Sequence, residues 1–276
     1  MKHSNTFKKL IIGSIVLAGA AGAYAGAPFN GIEGYGGGAL NPLAWTLGQN
    51  KAEGDESLFG KPQVGAWYVN LGDVDVDWSS LGAGITVADR LELSYSYELI
   101  AKTGEDLSKN NIGAKLNLLP ENTGGSAVPA ISIGAVYKTI SESAEGVDDS
   151  DADFYVVATK LITQLPRPVV LSAGLLSTSA RTTGVFGFGD DRDVVGFGNV
   201  AVLPFSNIGI GAEYKQGADV GGGFKNADYW NAHLIWFASP NLSVIGAYVN
   251  AGDHKDASKV GLGDGAVVSF STRSRK

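Results

Sequence analysis

His233 and His254 are the two histidines that would remain if residues 1–25 are removed, and general acid–base chemistry would have to start from them. His254 lies among Asp253, Lys255 and Asp256, the setting of a solvated loop residue. His233 shares an alternating face with Asn231, but the next residue on that face is Ile235. The His-x-Ser spacing of outer-membrane phospholipases is therefore missing, and no nucleophile with its base and orienter can be assembled. The chain is not expected to be an enzyme. Hard cations need several carboxylate oxygens, and two runs supply them: Asp73, Asp75 and Asp77, then Asp148, Asp149, Asp151 and Asp153. Counted from Asp73, an EF-hand would need glycine where Trp78 stands and glutamate where Gly84 stands. These runs are expected to be acidic loops with a possible cation-binding role, not a defined metal site. Gly36–Gly38 and Gly221–Gly223 lack the Lys-Ser or Lys-Thr of a phosphate loop, so no nucleotide cofactor is implied. A net charge of -7 also argues against a nucleic-acid partner.

The remaining charges fall on alternating faces. From Leu91 to Leu99, Leu91, Leu93, Tyr95, Tyr97 and Leu99 alternate with Glu92, Ser94, Ser96 and Glu98, the period of a strand with one apolar and one polar face. The alternation recurs. Strands are predicted at 63–71, 78–87, 90–100, 111–119, 130–140, 154–162, 169–178, 194–203, 207–216, 229–238, 242–250 and 260–270. Most approach the roughly 9 to 11 residues that a tilted strand needs to cross a bilayer, against about 5 to 6 for a common soluble strand. Short connections, as at Ala88-Asp89 and 239–241, alternate with longer ones, as at 141–153 and 217–228. Short periplasmic turns alternating with long extracellular loops are the habit of outer-membrane barrels.

The expected fold is therefore an all-β, antiparallel, up-and-down transmembrane barrel over residues 63–270, of about twelve strands. Ile112, Ala114, Leu116 and Leu118, or Trp230, Ala232, Leu234 and Trp236, would face lipid. Tyr97, Tyr137, Tyr214, Tyr248 and Trp230 near the long-loop ends suit an interfacial girdle. The opposite face places Glu92, Glu98, Lys115, Lys138, Lys160, Glu213, Lys215 and His233 in the lumen. Charges of both signs there imply either a hydrated pore or an ion-paired filling, because unpaired burial is costly.

Cysteine is absent, which excludes disulfides, zinc–cysteine sites and thiol chemistry. Residues 1–25 read as a cleaved secretory signal: Lys2, Lys8 and Lys9, the apolar run Leu10–Ala21, and the small-x-small site Ala23-Tyr24-Ala25. Its apolar run is short of the roughly 20 residues that span a bilayer as a helix. Residues 26–62 are rich in glycine yet apolar at 39–47, and are expected either to enter the lumen as a plug or, if 40–48 is a wall strand near Pro42, to raise the strand number to fourteen. Residues 271–276 are expected to be a tail behind Phe270.

Together the leader, the opening Gly31-Ile32-Glu33-Gly34 to Gly38, Leu40–Trp45 and the arginine-led strand Asp89-Arg90-Leu91-Glu92-Leu93-Ser94-Tyr95 resemble an uncharacterised family of Gram-negative outer-membrane barrel proteins, a domain of unknown function. The resemblance implies a barrel and an outer-membrane address, and transfers no catalytic residue. The expected role is a narrow, passive channel for small solutes, without cofactor, in contact with outer-membrane lipid, lipopolysaccharide and the barrel assembly machinery. The alternative is a non-conducting surface barrel that binds polysaccharide, lipopolysaccharide or protein through its acidic loops.

Overall fold

A computed structural model describes residues 26–48, 56–102 and 105–273. The signal expected at 1–25 lies outside the described residues. Twelve strands follow one another: β1 (Gln63–Leu71), β2 (Val76–Val87), β3 (Leu91–Lys102), β4 (Glu105–Leu119), β5 (Ala130–Ile140), β6 (Ser150–Ile162), β7 (Val169–Ala180), β8 (Phe188–Phe205), β9 (Ile208–Lys215), β10 (Tyr229–Ser239), β11 (Leu242–Asn250) and β12 (Asp264–Arg273). Each pairs antiparallel with its neighbours in sequence, and β1 pairs with β12, from Gln63 opposite Arg273 to Asn70 opposite Ala266. The sheet closes on itself, which removes every unpaired edge.

Side chains alternate across this wall as the pleat requires. On β3, Leu91, Leu93, Tyr95, Tyr97 and Leu99 are exposed while Glu92, Ser94, Ser96 and Glu98 are buried. Outward rows on the other strands include Ile112, Leu116 and Leu118, Ile210 and Tyr214, and Trp230, Leu234 and Trp236. An apolar outer surface around a polar lumen inverts a soluble protein. It is the arrangement of a transmembrane barrel.

Several boundaries differ from the sequence reading, three of them by an earlier start. β4 begins at Glu105 rather than 111, β6 at Ser150 rather than 154 and β8 at Phe188 rather than 194. Hydrogen bonding continues beyond the apolar rows, where polar residues such as Asp106 and Ser108 hold the ladder, so periodicity of apolarity underestimates these strands. β12 moves the other way, starting at Asp264 instead of 260 and running to Arg273. Ser271, Thr272 and Arg273 thus belong to the wall, not to a tail. At the short-turn end, Ala88 and Asp89 adopt φ of 50° and 59°, and the Arg90 N–H donates to Val87 O at 3.2 Å. Two successive positive φ values match the right-handed twist of the strands they join.

Residues 26–48 form no strand of this sheet and make only isolated bridges, Ala27 to Leu47, Asn30 to Gly36 and Gly37 to Pro42. Nearly all of them are buried. Phe29, Ile32, Ala39 and Leu40 pack with Trp67, Val69, Trp78, Ile245 and Val267. Tyr35, Leu43, Ala44, Trp45 and Leu47 pack with Val136, Tyr155, Val157 and Phe197. The two clusters draw on inward residues from opposite parts of the wall, and residues 26–48 pack between them. At about 1.5–3 kcal/mol for each large apolar side chain removed from water, its burial is strongly favourable.

Candidate functional site

The lumen is built from the inward rows of the strands and from the internal segment they surround. The segment's peptide groups cannot join the wall's ladder, so side chains must satisfy them. Glu92 of β3 accepts the N–H of Gly36 at 2.8 Å and of Leu47 at 2.7 Å, and forms an ion pair with Lys115 of β4 at 3.1 Å. Lys115 in turn donates to Gly36 O at 2.8 Å. One peptide unit on each side of Gly36 is thereby held by one ion pair. Across the lumen, Glu213 of β9 accepts the N–H of Ala39 at 2.7 Å and of Asn41 at 3.2 Å, with Asn231 of β10 donating to the same carboxylate at 2.6 Å. Ala44 is held from a third side: its N–H donates to Thr159 Oγ1 at 2.8 Å, and its carbonyl accepts from Ser132 Oγ at 2.6 Å and Asn117 Nδ2 at 3.1 Å. Trp67 Nε1 donates to Asn30 O at 2.7 Å and Ser80 Oγ to Ile32 O at 2.6 Å, closing the circle on β1 and β2.

Close approach explains the glycines. Gly34 has a φ of 90°, and a Cβ there would stand 2.8 Å from the carbonyl of Tyr95 on β3. Opposite it, a Cβ on Gly82 of β2 would stand 3.2 Å from Gly34 Cα. Backbone meets backbone here, which side chains would prevent.

Glu33 is the charge carried by the internal segment, and it bonds to Lys138 of β5 and, at 3.2 Å, to Lys109 of β4. Lys109 also pairs with Glu98 of β3 at 3.2 Å, and Lys138 with Asp153 of β6 at 2.7 Å. Glu98 further accepts from Trp78 Nε1 at 2.8 Å. Lys215 of β9 faces the same group and feels the charges of Glu33 and Asp153, yet makes no hydrogen bond or ion pair among the described residues. Within this cluster three carboxylates thus stand with three lysines. Neutrality of the set, with direct contacts inside it, is what makes such burial tolerable.

The structure places Glu92, Glu98, Lys115, Lys138, Glu213 and Lys215 on the inner face, and all but Lys215 bond to the internal segment or to groups that hold it. Lys160 does not line the lumen as expected: on β6 it has the parity of the exposed Phe154 and Val156, opposite to the buried Tyr155, Val157 and Thr159, and it pairs near the short-turn end with Glu121 at 3.0 Å. His233 is inward too, and its Nδ1 lies 2.7 Å from Asn231 Oδ1. Three members of the charged set are absent from the sequence-derived lumen set. Lys109 and Asp153 fell in presumed loops, although each continues the inward parity of its strand, with Asn111 and Lys115 on β4 and with Tyr155 and Thr159 on β6. Glu33 had no periodic context to read.

The acidic loops correct their expectation. Asp77, which lies at the start of β2 rather than in a loop, accepts from Tyr68 Oη at 2.6 Å and Asn70 Nδ2 at 2.8 Å. Asp73 accepts the Asp264 N–H at 3.1 Å with His254 nearby at 3.7 Å, and Asp75 takes a φ of 54° in the turn between them. Asp151 pairs with Arg192 and accepts from Ser179, while Asp148 bridges through its backbone to Phe188 and Asp149 O accepts the Ile140 N–H at 2.9 Å. Among the described residues no three His, Asp or Glu side chains gather as metal ligands. The carboxylates of Asp73, Asp77 and Asp151 are instead engaged by groups of the chain itself.

The barrel is similar to solved porins. A KdgM porin superposes with a TM-score of 0.53 at 10% identity, over 77% of this chain and 99% of that one. The KdgM porin in complex with disordered oligogalacturonate gives 0.54 at 11% identity over 77% and 99%. The NanC porin gives 0.52 at 9% identity over 78% and 100%. At such identities the likeness is one of fold, and the fold is that of outer-membrane porin-like barrels. No curated protein matches the chain in sequence. Residues 26–261, the internal segment and nearly the whole wall, match the family described as "Protein of unknown function (DUF3034)", and the chain belongs to that family.

Proposed function

We propose that the protein is an outer-membrane channel for small solutes that the internal segment holds closed. The observation that carries this reading is how the segment is attached: by hydrogen bonds, ion pairs and apolar contacts, each of which the wall could release without breaking its own ladder. The wall's twelve strands are complete without it. Release of residues 26–48 would expose a lumen lined by Glu92, Lys115, Lys138, Glu213 and Lys215, whose charges would select among solutes. Export behind a signal at residues 1–25, insertion by the barrel assembly machinery, and contact with lipopolysaccharide along the outward rows belong to the same reading.

The filled lumen favours one competing reading, a permanently closed barrel that acts through its loops. Conductance separates the two. A Cβ at Gly65 of β1 would stand 2.9 Å from Asn30 Cβ. A disulfide needs roughly 3.5–4.5 Å between these atoms, so a small outward adjustment lets the pair Asn30→Cys and Gly65→Cys bridge segment to wall in a chain with no other cysteine. In planar bilayers the oxidised variant is expected to be silent and the reduced one to show openings. A protein lacking residues 31–48 should be open throughout. If that deletion folds and is silent, the channel reading fails.

A further inference from the structure

Above the internal segment, at the long-loop end, lies a chamber whose floor is Ile32 and Leu40 and whose walls include Leu71, Tyr229 and Leu262. The loop 181–184, which follows β7, roofs it. Its volume is about 90 Å³. A single water needs at least roughly 10–15 Å³, so the chamber has room for a small organic solute.

The chamber is mostly apolar; Trp78, Thr178, Asn226 and Tyr229 in its lining have hydrogen-bond partners, but a few other polar groups do not. Lys215 lines it with three donors and makes no hydrogen bond or ion pair among the described residues. Asp153 lines it as well: its Oδ2 is taken by Lys138, but its buried Oδ1 has no partner. In the roof, the hydroxyls of Thr182 and Thr183 are also buried without partners, on residues held at φ of 46° and 60°. Buried polar atoms are ordinarily satisfied, and leaving one unpaired costs about 1–3 kcal/mol. Several of them around one apolar chamber fit a site complementary to something it receives.

We propose that this chamber binds a small zwitterion with an apolar body, by chemical class an aliphatic α-amino acid, with its carboxylate on Lys215 and its ammonium on Asp153 Oδ1. Charge balance selects the zwitterion over a simple anion. Glu33, Glu98 and Asp153 stand with Lys109, Lys138 and Lys215, Glu92 stands with Lys115, and Glu213 is held by N–H groups alone, so inward carboxylates already outnumber inward lysines and a bare carboxylate would add to that excess, whereas a zwitterion adds no net charge. The threonine hydroxyls can donate or accept at either end, and the aliphatic body covers Leu40, Leu71 and Leu262. This deepens the channel reading by naming a solute class and depends on it for its biological sense, although binding is measurable without conduction.

The test is calorimetry on the full mature chain in detergent micelles with three probes: L-leucine, 4-methylpentanoate, which lacks the ammonium, and 3-methylbutylamine, which lacks the carboxylate. Leucine should bind and each analogue at least tenfold more weakly. Lys215→Met should weaken leucine at least tenfold, and Lys215→Arg should restore most of it. Because Lys215 makes no hydrogen bond or ion pair among the described residues, the Met variant should keep the heat-dependent gel migration of a folded barrel. Absence of leucine binding by the folded protein, equal binding of 4-methylpentanoate, or an unaffected Lys215→Met variant would each overturn the proposal. Conduction by the protein lacking residues 31–48 without leucine binding by the full chain refutes the chamber alone. Leucine binding by a barrel that never conducts refutes the channel alone.

Discussion

Glu33→Gln keeps the shape of the internal segment and removes its charge. Glu33 bonds to Lys138 and Lys109, and hydrogen bonds to charged groups contribute about 1.5–3 kcal/mol each. Glutamine can still accept one of the two, and neither lysine is orphaned, since Lys109 keeps Glu98 and Lys138 keeps Asp153. The seated arrangement should therefore lose about 2–3 kcal/mol, well short of the 3–5 kcal/mol for leaving a buried charge unpaired. The wall ladder is untouched, so this loss falls on the balance between seated and released segment. At about 1.4 kcal/mol per factor of ten, the open fraction should rise about 30- to 150-fold. Single-channel recording measures that fraction directly. In the oxidised Asn30→Cys/Gly65→Cys background the same substitution should have no effect. An unchanged open fraction together with a lowered urea midpoint for the whole barrel would refute the reasoning, because it would mean that segment and wall unfold as one unit.

Gly34→Ala should lower stability by about 1–2 kcal/mol or more, since alanine would meet both a left-handed backbone and the Tyr95 carbonyl; urea unfolding of the refolded barrel measures it. Arg192→Ala, which removes a partly exposed pair with Asp151, should change stability by no more than about 1 kcal/mol in the same assay. A protease-sensitive tag inserted at Asp149 should be cleaved on intact cells and one at Asn241 should not, and the reverse pattern would invert the barrel. Lys115→Met should raise the open fraction more than Glu33→Gln does, because it strands the Glu92 carboxylate that also holds Gly36 and Leu47.

Much of the wall was legible before any coordinates. Alternation is a local property: each residue on β3 declares its face through its immediate neighbours, and Gln63–Leu71, Ala130–Ile140 and Leu242–Asn250 run just as the sequence predicts. Strand number and the alternation of loops and turns follow from the same local signal, because an up-and-down barrel pairs neighbours in sequence. Boundaries at β4, β6 and β8 were missed where polar residues prolong the ladder above the apolar band.

The content of the lumen was not legible in the same way. Glu92, Lys115 and Glu213 could be assigned inward by parity, but their partners, Gly36, Leu47 and Ala39, lie up to 174 positions away. Nothing periodic marks residues 26–48, whose glycines serve contacts made only once the barrel closes around them. Sequence determined the faces, since the pleat repeats every two residues. Tertiary structure alone decided which charges meet and which, like Lys215, are left facing a chamber, because that depends on how closure brings opposite walls and an irregular segment to one place.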